Sequence, residues 1–342
     1  MFKAEQIQDI ARYGLENDQE KLIAALNDLI EHSKQSKKIN FALQLQSLMK
    51  DSLRQHRTSS LTKVGSEAYF QKHDDREFGD FIIEKLTSEY TFNNLICEPS
   101  VQHELEYVVQ EHRVIEKIRS LGLPVSNKIV LHGPSGCGKT LASYVLAGEL
   151  QKLMYVINLG SIVSSKLGET SRNLSKIFRR AATEDCIIFM DEFDSLGKLR
   201  DYNQDHGEMK RVVNTLLQLF DYLPQTNILI AATNQKDMID DALLRRFDVS
   251  IRFDFPEEAQ IRKLVDLTLK NGMFHFDKST SVKKLVAACK GLSYYSIQKT
   301  LVTAIKRSIM PTLEKTTPIA ATIDTSIWSN LIDQEKSALS IK

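Results

Sequence analysis

The sequence predicts an α/β protein: a parallel five-stranded sheet with helices on both faces, a helical lid after it and an N-terminal helical bundle before it. Three observations predict this. Five short apolar runs, Ile129–Leu131, Tyr155–Ile157, Ile187–Met190, Ile228–Ala232 and Val249–Phe253, alternate with segments of helical period. Strands that are apolar on both faces belong to a parallel sheet covered from both sides. Past Pro256 only helical signals remain, over Ala259–Leu269, Val282–Cys289 and Ser296–Ile309. Before the first strand, residues 4–54 carry apolar side chains at helical spacing,.

Taken in order, Ile7, Ile10 and Ala11 mark one helix face, which Gly14 ends. Asn17 or Asp18 can cap a second helix, striped by Leu22, Ile23, Leu26, Leu29 and Ile30,. Phe41, Ala42, Leu45, Leu48 and Met49 repeat the pattern in a third. Two readings of this bundle, residues 1–54, stay open: a structural cap, or a docking module for a partner. Residues 55–90 form a connector, polar and rich in Ser and Thr over 55–66 and partly helical over 67–90. The α/β core is expected over 91–255 and the helical lid over 256–310. Residues 311–342 read as a last helix around Trp328 or as a tail.

The chain has 342 residues, 42% of them hydrophobic, which is enough for more than one domain,. Its 45 Lys and Arg against 44 Asp and Glu leave a net charge of +1. That balance gives no whole-molecule attraction to nucleic acid or to an anionic membrane. No apolar run approaches membrane-spanning length, and Met1-Phe2-Lys3-Ala4-Glu5 lacks the charged-then-apolar pattern of a signal peptide,. Cys97, Cys137, Cys186 and Cys289 are far apart and show no metal-ligand spacing, so they read as reduced thiols,. The expected compartment is the cytoplasm.

Gly133-Pro134-Ser135-Gly136-Cys137-Gly138-Lys139-Thr140 fits GxxxxGK[ST] between a strand and a helix,. Glycines let backbone N–H groups converge on phosphate oxygens with no Cβ in the way. The helix that starts near Lys139 and runs through Leu141 aims its positive end at the same charge. Lys139 is expected on the β- and γ-phosphates, and the Thr140 hydroxyl on Mg2+. Cys137 is a small filler or an oxidation-sensitive thiol, the filler being the plainer reading.

Cys186–Glu192 is an apolar strand that ends in two acids. Adjacent carboxylates after a buried strand are costly unless they serve a purpose. Asp191 is expected to hold Mg2+ and Glu192 to polarise the attacking water as a general base. Asn234 follows the strand Ile228–Thr233 and is expected beside Glu192, orienting the water. Arg245 and Arg246 form either an exposed basic turn or a pair of arginine fingers acting on a neighbouring subunit's γ-phosphate.

Together these segments resemble the AAA family of ATPases over roughly residues 91–310. Gly133–Thr140 is similar to Walker A, Ile187–Glu192 to Walker B, and Asn234 stands at the sensor 1 position. Leu216–Leu223 resembles the inter-subunit signalling segment, with Asp221-Tyr222-Leu223 where Asp-Gly-Phe is usual. Arg245 and Arg246 match the arginine-finger segment without the usual Pro-Gly between them. Gly291-Leu292-Ser293 begins the lid motif, but Tyr294-Tyr295-Ser296 replaces Gly-Ala-Asp, and no clear sensor 2 arginine is visible. Ser164–Thr170 looks like pore loop 1, with Lys166 in the aromatic's place and Leu167 as a partial substitute,.

The resemblance implies an αβα P-loop ATPase core that hydrolyses ATP with Mg2+. It also implies a homo-oligomeric ring, usually a hexamer, with each site completed by its neighbour. The coupled work would be remodelling or regulating a protein. A second expectation is a nucleotide switch that controls a partner docked on residues 1–54 without threading it, a subtilisin-like peptidase being one candidate. A third, a nucleic-acid motor or loader, has only the positive collar of Lys166 in its favour.

Overall fold

The structure is a computed structural model that describes residues 82–159, 167–198, 206–269, 274–277, 282–313 and 321–340. The bundle expected over 1–54, the connector up to residue 81 and the pore-loop residues through Lys166 lie outside the described residues. In chain order the first elements are β1 (Ile82–Thr87), α1 (Pro99–Arg113), α2 (Ile115–Ser120), β2 (Lys128–His132), α3 (Lys139–Leu150), β3 (Leu153–Asn158) and α4 (Leu167–Thr183). They are followed by β4 (Cys186–Asp191), α5 (Ser195–Lys198), α6 (His206–Asp221), β5 (Ile228–Thr233), α7 (Asp241–Leu244) and β6 (Val249–Arg252).

Among the described residues six strands make one sheet in the order β1-β3-β4-β5-β2-β6. The five predicted runs are all strands, and they pair in parallel. The sixth, β1, was not expected: it falls in the stretch read as partly helical, and it runs antiparallel along β3. Its partners explain why the stretch is a strand. Lys85 lies over the Tyr155 ring at 5.2 Å and pairs with Glu184 at 3.4 Å. Glu184 also accepts from the Tyr155 hydroxyl and from Arg180. These contacts are distant in sequence, and β1, an edge strand among the described residues, tolerates the polar Lys85 that blurs the pattern,.

The alternation of β4 shows how the sheet builds two cores. Ile187 and Phe189 face one layer, where they meet Leu105 and Val109 of α1 and Val145 and Leu146 of α3,. Ile188 and Met190 face the other, with Leu174 and Phe178 of α4 and Leu216 and Phe220 of α6. Each large side chain buried here contributes roughly 1.5–3 kcal/mol. α1 opens on Pro99, which needs no N–H partner in a first helical turn,.

Beyond β6 come α8 (Glu258–Thr268), β7 (Phe274–Phe276), α9 (Val282–Ala288), α10 (Tyr294–Leu313), β8 (Ala321–Ile323) and α11 (Thr325–Ser340). The expectation of helices alone after Pro256 is corrected here, because β7 and β8 pair in parallel. Strands of three residues are too short to show a period. Trp328 is fully buried on α11, stacked on Phe276 with ring centroids 5.3 Å apart. Its indole N–H donates to the Thr300 hydroxyl at 3.3 Å. Among the described residues no helix is long and apolar enough to cross a membrane.

Candidate active site

The ends of β2, β4 and β5 lie side by side in the sheet and deliver their following residues to one place. After His132 the chain turns through Gly133–Gly138 into α3. Three glycines of the turn, Gly133, Gly136 and Gly138, have positive φ, and at two of them a side chain would also collide. Gly133 has φ +133°, and a Cβ there would stand 1.9 Å from the Phe253 carbonyl oxygen. Gly136 has φ +75°, and its Cβ would come within 2.7 Å of the Ser293 hydroxyl. The first amides of α3 face the same side with no intrahelical acceptors, as at any helix start. Cys137 is buried at the loop, and burial pushes its thiol up to about 11, which keeps it protonated and supports the filler reading. Leu141 packs half-buried against the sheet core.

Lys139 is only 7% exposed. Its ammonium donates to Gly133 O at 2.7 Å, Pro134 O at 2.8 Å and Asn234 Oδ1 at 2.8 Å, so all three donors are engaged,. Burial lowers its pKa, with Asp191 and Asp194 among the groups that act against the shift. One residue on, the Thr140 hydroxyl donates to Asp191 Oδ2 at 3.0 Å. The other carboxylate oxygen, Asp191 Oδ1, accepts from the Glu192 backbone N–H at 2.8 Å.

Glu192 takes φ +51°, a left-handed conformation that costs a side-chain-bearing residue roughly 1–2 kcal/mol,. The two acids therefore part company: Asp191 is tied to α3, and Glu192 is exposed at the turn. Asn234, expected to orient the water beside Glu192, accepts from the Lys139 ammonium with its side-chain oxygen.

Asp194 escaped the sequence reading. It is 2% exposed and accepts from Thr233 Oγ1 at 3.0 Å and from the Asn234 N–H at 3.3 Å. It therefore holds the end of β5 where Asn234 begins. Its signal was an acid two positions beyond Glu192, in a turn that the alternation of strands already marked.

The two arginines follow α7, which Asp240 caps by accepting from the Ala242 N–H at 2.8 Å. Arg246 clasps Asp221 at the end of α6, and Arg245 is exposed, its side chain making no hydrogen bond or ion pair among the described residues. Among those residues neither side chain hydrogen-bonds to Gly133–Thr140, Asp191, Glu192 or Asn234. Lys166 lies outside the described residues, and Leu167 is the first residue of α4. The lid does reach the loop: the Tyr295 N–H donates to Gly136 O at 3.1 Å.

Residues 129–255 match the model of the ATPase family associated with various cellular activities (AAA). Over 231 residues the chain is 38% identical to an uncharacterized AAA family ATPase of Sinorhizobium fredii, covering 68% of this chain and 68% of that one. The chain belongs to the AAA family. This AAA protein is thus a nucleotide-binding ATPase with an α/β P-loop core.

It is also 29% identical over 202 residues to a putative 26S proteasome regulatory subunit homolog of Methanocaldococcus jannaschii, covering 58% of this chain and 54% of that one. It is 28% identical over 243 residues to the ATP-dependent zinc metalloprotease FtsH 3 of Sphaerobacter thermophilus, covering 70% of this chain and 49% of that one. The AAA chain spans about half the length of these two relatives.

Proposed function

We propose that this AAA ATPase hydrolyses Mg-ATP at Gly133–Thr140 and couples turnover in a homo-oligomeric ring, a hexamer, to remodelling or regulating a protein partner. The observation that carries the reading is the junction of Lys139 with Asn234 and of Thr140 with Asp191, which ties the loop to the ends of two neighbouring strands. A phosphate oxygen arriving at Lys139 takes the place of one of its acceptors. The loop amides and the start of α3 hold the remaining phosphate charge.

Thr140 and Asp191 offer a hydroxyl and a carboxylate, the hard oxygen donors that Mg2+ prefers. Among the described residues no group of three or more His, Cys, Asp or Glu is arranged to hold a metal. Mg2+ bound through one or two protein oxygens plus substrate phosphates fits that donor set. Bound there, it would neutralise charge on the phosphates.

Glu192 takes the proton of the attacking water as its oxygen bonds to the γ-phosphorus and the bond to the ADP oxygen breaks. Asn234 and Lys139 order the γ-phosphate side of the site. Arg245, with Arg246 beside it, supplies positive charge to a neighbouring subunit's site. A cytoplasmic setting suits four free cysteines, three of them buried.

A protein target is supported by the relatives named as a proteasome regulatory subunit homolog and a metalloprotease. Lys166 in place of the pore aromatic favours a second reading, a nucleotide switch acting on a partner docked through residues 1–54, such as a subtilisin-like peptidase. The test is Glu192→Gln. It should bind ATP, turn it over very slowly, and retain its oligomer and partner for mass spectrometry. Normal turnover in that variant sinks the base assignment.

A further inference from the structure

One face of α11 is packed into the lid. Trp328, Leu331 and Ile332 are buried there among side chains of α8, α9 and α10. The next position on that face at helical spacing is an acid, Glu335,. A carboxylate only 21% exposed needs partners, and Glu335 finds both on α10,. Its Oε1 accepts from the Ser296 hydroxyl at 3.0 Å, and its Oε2 from the Lys299 ammonium at 3.2 Å. Lys299 is half-exposed, so that arm contributes little,. Ser296 is buried.

The buried arm continues to the phosphate loop. The Ser293 hydroxyl donates to Ser296 Oγ at 3.3 Å and accepts from the Ser296 N–H at 3.2 Å, which makes Ser293 the cap of α10,. A hydroxyl has one hydrogen, and that of Ser296 goes to Glu335, so Ser296 offers Ser293 only its lone pairs,. The carboxylate accepts and cannot donate. It therefore fixes the direction of the whole chain, from Ser293 through Ser296 to Glu335. At its other end Ser293 is packed on Gly136, where an added Cβ would stand 2.7 Å from the serine oxygen. Beside it the Tyr295 N–H donates to Gly136 O at 3.1 Å.

We propose that Glu335 is a positioning residue for the nucleotide. Through Ser296 and Ser293 it holds the start of α10 against Gly136, and so sets how firmly the phosphate loop retains ATP. The inference rests on the phosphate-loop reading above and adds to it a residue of the last helix that touches none of the reacting groups. Without the carboxylate both hydroxyls are free to rotate, the cap of α10 loosens and the wall behind Gly136 gives way. Asp191, Glu192 and Asn234 follow other strands and keep their places. The effect therefore falls on nucleotide retention and not on the bond-breaking step.

The test measures turnover of Mg-ATP by the full chain together with the Kd of a fluorescent ATP analogue. Glu335→Ala should raise KM and that Kd about tenfold, the scale of one charge-assisted hydrogen bond, with kcat within about twofold of the wild type. Glu335→Gln keeps an acceptor for Ser296 and should bring both constants back to within about threefold of the wild type. Ser296→Ala should match Glu335→Ala, which covers the case of a Glu335 variant that does not fold. The double variant should stay near tenfold and not reach about a hundredfold, because both changes cut one chain. Structural damage alone lowers the folded fraction, so that kcat falls while KM stays. That pattern, a wild-type KM in Glu335→Ala or Ser296→Ala, no recovery in Glu335→Gln, or additive losses in the double variant overturns the inference while ATP binding by the wild type stands. Failure of the wild type to bind the analogue or to turn over ATP overturns the phosphate-loop reading, and this one with it.

Discussion

Arg246 holds Asp221 with two nitrogens, Nε to Oδ1 at 3.2 Å and Nη2 to Oδ2 at 3.4 Å. Its neighbour Arg245 has no such partner among the described residues. Two adjacent arginines thus have different geometry. Arg245→Ala is expected to lower kcat about a thousandfold with nucleotide affinity kept. Mixing it with Lys139→Ala should restore part of the activity through mixed sites. No rescue would count against action in trans.

Arg246 differs because its partner can be removed separately. If it works by anchoring the segment to α6, Asp221→Ala should reproduce the kinetic loss of Arg246→Ala. A half-exposed ion pair contributes no more than about 1 kcal/mol to stability, so thermal unfolding should barely move,. A large loss in Arg246→Ala with none in Asp221→Ala would give Arg246 a direct role.

Asn234→Ala leaves Lys139 bonded to the two loop carbonyls. Binding of a fluorescent ATP analogue should survive, while kcat falls about a hundredfold, the scale for losing one polar group aimed at the reacting phosphate. Equal losses of binding and turnover would place Asn234 among the groups that only bind.

Gly133→Ala and Gly122→Ala separate close approach from backbone strain. Gly122 has φ +73° and open space around it, so its substitution should cost about 1 kcal/mol,. Gly133 would drive a methyl into the Phe253 carbonyl and should cost several times more,. Denaturant unfolding of both variants measures the difference, and equal costs would contradict the contact.

His112 gives the fold a sensitivity to acid. It is buried, its Nε2 lies 2.9 Å from Ser126 O, and its Nδ1 has no partner. Burial, the largest cause, lowers its pKa below the ordinary 6.5. The unfolded chain therefore takes up the proton first, and the stability from neutral His112 is present above pH 6.5 and lost as pH falls toward the folded value,. His112→Gln should flatten the loss between neutral pH and the acid side in denaturant titrations. An unchanged slope would refute this.

The five inner strands were legible because burial on both faces writes a continuous apolar run, as in Ile187–Met190. The phosphate loop was legible because Gly133 and Gly136 sit where no side chain fits. The rest depends on partners far away in sequence. β1 shows itself through Lys85 meeting Tyr155 and Glu184, and β7 through three residues that pair with β8. Asp194 works by gripping Thr233 and Asn234, and nothing in its neighbours announces that. Arg245 and Arg246 looked alike until Asp221 distinguished them.

The hydrogen bond from the Tyr295 N–H to the Gly136 carbonyl ties the first turn of α10 to the phosphate loop. α10 has 20 residues, a rod about 30 Å long at the usual helical rise,. A tilt of about five degrees at its loop end sweeps the other end through roughly 2–3 Å over that length. A displacement of the phosphate loop that tilted α10 would therefore be magnified at the far edge of the lid.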